Sequence, residues 1–215
     1  MKKFAVILSG CGVFDGAEIH ESVLTLLAID RQGSSYQVFA PDMTQYHVIN
    51  HLTGEVMNEK RNVLVEAARI ARGKILPLSD FNPAGFDGLI LPGGFGAAKN
   101  LCSWAWEHDD CKVNPEVEKA IRSMMNMKKP VGALCIAPVI LGTFIPGSHL
   151  TTGHDRDSRE FIEKKGSEYI PADHGEVVID ETNKLFSSPC YMLDASISQI
   201  ADGADNMVRE MLKRM

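Results

Sequence analysis

At 215 residues, 45% hydrophobic and 23% charged, the chain can bury a full core without disulfides, and one α/β domain over residues 1–215 is the simplest organisation. A formal net charge of -6 excludes nucleic acid as the main partner, since phosphate binding needs a basic face and Lys128-Lys129 and Lys164-Lys165 are only pairs. No segment approaches the length of a bilayer-spanning helix, and five scattered cysteines fit free thiols in a reducing compartment.

Met1 to Leu8 opens like a signal peptide, but its apolar run is short and meets Ser9-Gly10-Cys11-Gly12 with no cleavage site. The expected location is cytoplasmic, or a reducing organelle matrix if a targeting segment has been removed. Phe4 to Leu8 is the continuous apolar run of a strand buried on both faces in a parallel sheet. It feeds a glycine-rich loop, Ser9 to Gly16. A helix follows from near Ala17, its stripe of Ile19, Val23, Leu26, Leu27 and Ile29 ending before Gly33.

Gln37 to Ala40 reads as a second strand, Asn50 to Glu55 as a turn, and Asn62 to Ala71 as a helix stopped by Gly73. Lys74 to Pro77 is a short edge strand. Phe86 to Leu91 is a central one, running into Pro92-Gly93-Gly94-Phe95-Gly96. Leu101 to Cys111, with both tryptophans, suits a lid or an interface. Pro115 to Met127 is a helix with proline in its first turn.

Val131 to Leu134 is a small-residue strand that ends at Cys135, and Ile136 to Gly142 reads as a helix start. A strand meeting a helix through one nucleophilic side chain is the logic of a nucleophile elbow. The helix N-terminus and nearby N–H groups would lower the thiol's pKa; a buried core cysteine is the alternative from these residues alone. Beyond it, His149 to Thr152 is a strand and Ser158 to Lys165 a helix. Glu176 to Asp180 and Lys184 to Ser188 form a β-hairpin, and Met192 to Met215 is helical with a break at Gly203. Strands alternating with helices predict a mostly parallel sheet with helices on both faces.

Ligands of such sheets bind at the carboxyl ends of the strands. Three unusual loops fall there: Ser9 to Gly16, Pro92 to Gly96, and the turn at Cys135. Gly93-Gly94 could supply an oxyanion donor to pair with the N–H of Ile136. Cys11 is the other thiol placed at that edge, as pocket wall or resolving partner. Glu18 and Glu21, with His20 between them, sit in the opening turn of the first helix. They complement the helix dipole, or one of them serves Cys135 as base. His47 and His51 are four apart, but Gly54 and polar surroundings speak against a ligand helix, so no metal site is expected.

Together the elbow, Leu91-Pro92-Gly93-Gly94 and Gly16-Ala17-Glu18-Ile19-His20-Glu21 resemble the ThiJ/PfpI superfamily, the class I glutamine amidotransferase-like proteins. Ser9 to Gly12, Val48 to Glu55, Pro92 to Asn100 and Cys135 to Pro138 are similar to its ElbB-type glyoxalase branch. The resemblance runs over nearly the whole chain. It implies a flavodoxin-like three-layer sandwich and a glutathione-independent glyoxalase, a lyase without cofactor whose nucleophile is Cys135. It selects Glu21 rather than Glu18, and Gly94 as the second glycine of the oxyanion loop. The expected reaction turns glyoxal-type 1,2-dicarbonyls into hydroxy acids such as glycolate, through a hemithioacetal on Cys135. The alternative is a thiol-based redox sensor or partner-binding subunit. Expected partners are the small dicarbonyl and a second copy in a homodimer, not nucleic acid or membrane.

Two features depart from the wider superfamily. Ile136 stands where the protease branch has a histidine beside its cysteine, and His154 matches only with an offset the histidine of other relatives. Without that histidine a glutaminase is disfavoured. His174-Gly175-Glu176 imitates the His-x-Glu pair of amidotransferases but precedes the hairpin, too early to reach Cys135.

Overall fold

The computed structural model describes all 215 residues. Seven strands form the main sheet: β1 (Lys3–Ile7), β2 (Ser35–Ala40), β3 (Ile75–Pro77), β4 (Gly88–Leu91), β5 (Val131–Leu134), β8 (Val178–Asp180) and β9 (Leu185–Ser188), in the order β3-β2-β1-β4-β5-β9-β8. All neighbours are parallel except β8 and β9, which make the antiparallel hairpin at one edge. A separate two-stranded parallel sheet joins β6 (His149–Leu150) to β7 (Glu168–Tyr169). β4, β5 and β9 are buried along their whole length. Strands so covered must be apolar or small, and the runs GLIL and VGAL are both.

The helices are α1 (Ile19–Arg31), α2 (Val63–Ile70), the single-turn α3 (Trp104–Glu107), α4 (Pro115–Asn126), α5 (Pro138–Phe144), α6 (Arg156–Lys164) and α7 (Ile197–Leu212). They cover both faces of the sheet, α1 packing along α7 and α4 lying on β4 and β5. This is the α/β flavodoxin-like sandwich, with the hairpin at its edge.

Three local expectations need correction. α1 starts at Ile19, capped by the carboxylate of Glu18, and Ile19 and Val23 lie outward. Its inward face is instead Glu21, Ser22, Thr25, Leu26, Ala28 and Ile29. The first turn faces the loops at the sheet's carboxyl edge, where polar groups have partners, so the stripe that hydropathy predicts begins one turn late. α7 runs through Gly203 unbroken. A Cβ there would stand 3.2 Å from Ser188 Oγ and 3.4 Å from Cys190 Sγ, so this glycine lets the helix pack closely on the segment after β9. Lastly, Cys135 to Ala137 form a turn, and α5 begins only at Pro138.

Candidate active site

Cys135 sits where β5 ends, with φ +58°, a backbone conformation that few residues other than glycine adopt cheaply. Its own N–H donates to Ser188 O at 2.9 Å, which ties the turn to the end of β9. The N–H groups of Gly94 and Ile136 donate to its sulfur. The glycines make this approach possible. A Cβ on Gly93 would stand 2.9 Å from the Cys135 sulfur and 2.8 Å from Glu21 Oε2. Gly94 has φ +91°, and a side chain there would strike the backbone of Gly16 and Glu18. Phe95 N donates to Val13 O, Gly96 N to Gly16 O and Glu18 N to Gly93 O, so the two glycine loops are bonded backbone to backbone.

Glu21 is fully buried. Its Oε2 accepts the N–H of Gly93 at 2.9 Å, its Oε1 accepts the N–H of Tyr191 at 3.2 Å, and the carboxyl also hydrogen-bonds the Cys135 thiol. Burial, then the charge of Glu18, pushes Glu21 up to about 7. Burial, then the charge of Glu21, pushes the Cys135 thiol well above the usual thiol range, against the two N–H donors. The lowered thiol pKa expected from the elbow is thus overturned, because desolvation outweighs the donors. Each group resists ionising beside the other, so near neutral pH the thiol keeps its proton and the carboxyl is close to its midpoint.

The sulfur opens onto a cleft of about 380 Å³, lined among others by Val13, Phe95, Trp104, Tyr191 and Met192. Asp155 and Asp157 also border it. Tyr191 joins the cleft to the carboxylate through its N–H, and its phenol meets His20 Nδ1 at 2.8 Å. Neither Tyr191 nor Cys190 stood out in the sequence. Cys190 is buried, has φ +44° and lies close enough to Cys135 that its charge would hold that thiol up further. The only sequence signal for them is Pro189 directly after the Leu185–Ser188 strand, which marks the end of β9 at the edge where β5 also ends.

Other candidates fall elsewhere. Glu18 accepts the N–H of Glu21 through Oε2 at 2.6 Å, so it caps the helix and does not reach for the thiol. Gly93 is not an oxyanion donor, since its N–H is taken by Glu21. Cys11 does not line the cleft; it lies among Glu66, Arg69 and Asp15, on the α2 side of its loop. The reason is the turn at Gly10 and Gly12, both at positive φ, which carries the loop toward α2. His154 lies at the surface, its Nε2 2.9 Å from Asp173, with more than half its side chain exposed. His51 spends Nδ1 on Ile49 O and Nε2 on the N–H of Phe14, leaving no lone pair for a metal.

A thiol in a strained strand-to-turn elbow, facing a buried glutamate across a glycine loop, defines a class of site, and the DJ-1/PfpI family model matches residues 11–190; the chain belongs to that family. Among its relatives are the ES1 protein homolog, mitochondrial, of Rattus norvegicus and the glutamine amidotransferase-like class 1 domain-containing protein 3, mitochondrial, of Homo sapiens. Each is 42% identical over 98% of this chain, covering 83% and 82% of the relative. A solved structure, the isoprenoid biosynthesis protein with amidotransferase-like domain from Ehrlichia chaffeensis, superposes with a TM-score of 0.92 at 36% identity, covering 99% of this chain and 100% of the other. The cytoplasmic expectation is corrected by these relatives, because the rat and human proteins that match along almost the whole chain are mitochondrial. Free thiols mark a reducing compartment, which is as consistent with a matrix as with cytosol.

Proposed function

We propose that the protein is a glutathione-independent glyoxalase acting on small 1,2-dicarbonyls. The observation that carries this is the Glu21 carboxyl, buried behind the Cys135 thiol that lines the cleft and held near a pKa of 7. A group so tuned can take a proton and return it at neutral pH. Cys135 sulfur attacks one aldehyde carbon of glyoxal while its proton passes to Glu21, giving a hemithioacetal. The oxyanion that forms lies within reach of the Gly94 and Ile136 N–H groups that donate to the sulfur. Glu21 returns that proton to the oxyanion and, as a carboxylate again, takes the proton of the hemithioacetal carbon and delivers it to the neighbouring carbon, while the hydroxyl proton passes from the first oxygen to the second. The oxidised carbon becomes a thioester and the other a hydroxymethyl group. Water cleaves the thioester to glycolate and restores the thiol. Oxidation of one carbon balances reduction of the other, so the residues alone suffice for the redox bookkeeping.

The cleft has room to admit such a substrate and leads it to the sulfur. The relatives' location supports a mitochondrial setting for this chemistry. Incubating the purified protein with glyoxal and following glycolate tests the reading; no glycolate above the rate in buffer would contradict it.

A second reading, a thiol redox sensor, is favoured by Cys190, which places a second buried thiol close to Cys135. Comparing the rate of dicarbonyl clearance with the rate of thiol oxidation by peroxide separates the two.

A further inference from the structure

The site lacks the histidine that would ordinarily activate water beside the sulfur: Ile136 occupies the adjacent position, and His154 is bonded to Asp173 at the surface. Glu21 is fully buried, and its two oxygens are held by the N–H groups of Gly93 and Tyr191, so it is poorly placed to take a proton from a water that enters from solvent. One imidazole reaches a side chain that lines the cleft. His20 lies exposed in the first turn of α1, and its Nδ1 is 2.8 Å from the hydroxyl of Tyr191, a cleft-lining residue. Their rings stand 5.9 Å apart at 47°, so the contact is edge-on through the hydroxyl and not a stack.

We propose that Tyr191 and His20 form the general-base relay for the hydrolytic half of the reaction, Tyr191 touching the attacking water and His20 receiving the proton. The inference rests on the glyoxalase reading above and adds a division of labour to it. Glu21 serves the dry, inner step, moving a proton between two carbons. The tyrosine–histidine pair serves the wet, outer step. Tyr191 belongs to both halves, since its N–H holds Glu21 Oε1 and its hydroxyl holds His20.

In the step itself a water oxygen adds to the thioester carbon on Cys135. The water's proton passes to the Tyr191 oxygen as the phenolic proton passes to His20 Nδ1. The tetrahedral intermediate then collapses, the carbon–sulfur bond breaks, and His20 returns its proton through the Tyr191 hydroxyl to the leaving sulfur. One thioester and one water become one acid and one thiol. The geometry requires the tautomer in which Nδ1 is the acceptor, and the exposed Nε2 is free to carry the hydrogen.

The test uses His20→Ala and Tyr191→Phe in the full chain. His20 is exposed and Tyr191→Phe keeps the ring and the backbone N–H, so both should fold, which circular dichroism checks. Each variant is mixed with glyoxal, and three things are read: glycolate release, the intact mass of the protein, and the product freed by hydroxylamine. We expect glycolate release to fall by about 10²-fold, the usual size for a positioned base. A one-glyoxal adduct on Cys135 should build up and yield glycolohydroxamate, the signature of a thioester. Added imidazole should restore release in His20→Ala, a rescue that a merely structural histidine would not show.

Release at the wild-type rate in both variants overturns the relay. So does a slow variant whose adduct resists hydroxylamine, because the block then precedes the thioester. A wild-type protein that forms no adduct and no glycolate overturns the glyoxalase reading along with it, so the two failures look different.

Discussion

Glu21 and Cys135 meet at one glycine: a Cβ on Gly93 would stand 2.8 Å from Glu21 Oε2 and 2.9 Å from the Cys135 sulfur, and the charge of Glu21 is, after burial, the largest influence holding that thiol up. The thiol is therefore not poised as a free thiolate by its helix. It ionises as the carboxylate takes its proton, which makes the pair, and not the cysteine alone, the reactive unit.

Glu21→Gln should lower turnover of glyoxal by about 10²-fold or more, because an amide cannot take the thiol's proton. Glu18→Gln keeps an oxygen to cap Glu21 N and should cost little turnover. It should instead shift the pH–rate profile toward acid, since the charge of Glu18 is part of what raises Glu21. Steady-state kinetics of both variants across pH checks this. A larger loss at Glu18 would exchange the two roles.

Stability should carry the same signature. The native state binds the Glu21 proton more tightly than the unfolded chain does, its pKa moving from 4.5 to about 7. The stability this contributes is fully present below the unfolded pKa and is lost as pH rises through the folded one. Wild type should therefore lose on the order of 3 kcal/mol relative to Glu21→Gln between roughly pH 4.5 and pH 7. Urea unfolding of the two proteins through that window measures it, and parallel curves would contradict the burial of a titrating carboxyl.

Gly93→Ala should remove activity while a glycine-to-alanine change in an open loop would not. The added methyl would fall against Cys135 Cβ, with the sulfur at 2.9 Å and Glu21 Oε2 at 2.8 Å. Overpacking of this kind typically costs about 1–3 kcal/mol. Thermal unfolding and glycolate formation measured together check it; full activity would show that the loop yields freely.

Much of this site was legible because its signals are local. Val131 to Leu134 reads as a buried strand, Cys135 as its end, and Gly93-Gly94 as a close approach, all within a few residues. Glu21 was chosen over Glu18 by its distance from Gly16-Ala17 in a family motif, and the fold turns that residue inward while Glu18 caps the helix. What escaped is non-local. Tyr191 and Cys190 join the site only because β9 pairs with β5, Leu134 beside Ser188, across more than fifty residues of chain. Cys11 was misplaced for the converse reason: a strand end predicts the edge of the sheet but not which way two positive-φ glycines then turn the loop. Hydropathy likewise put Ile19 and Val23 inside because it cannot know that polar groups on other loops await the first turn of α1.

His154→Ala should keep glyoxal turnover within about tenfold, or roughly 1.4 kcal/mol, since its imidazole is bonded to Asp173 at the surface. A collapse comparable to loss of the cysteine, in the same kinetic assay, would restore a Cys–His dyad and with it the glutaminase alternative.

The most direct test of the central claim is glycolate formation from glyoxal by Cys135→Ser, measured beside wild type and beside Cys11→Ser. A serine hydroxyl is far harder to ionise than a thiol, and a carboxyl near pKa 7 is too weak a base to make up the difference. The account predicts glycolate from wild type and from Cys11→Ser, and none above background from Cys135→Ser. Normal turnover by Cys135→Ser would contradict the nucleophile assignment and the enzyme reading built on it.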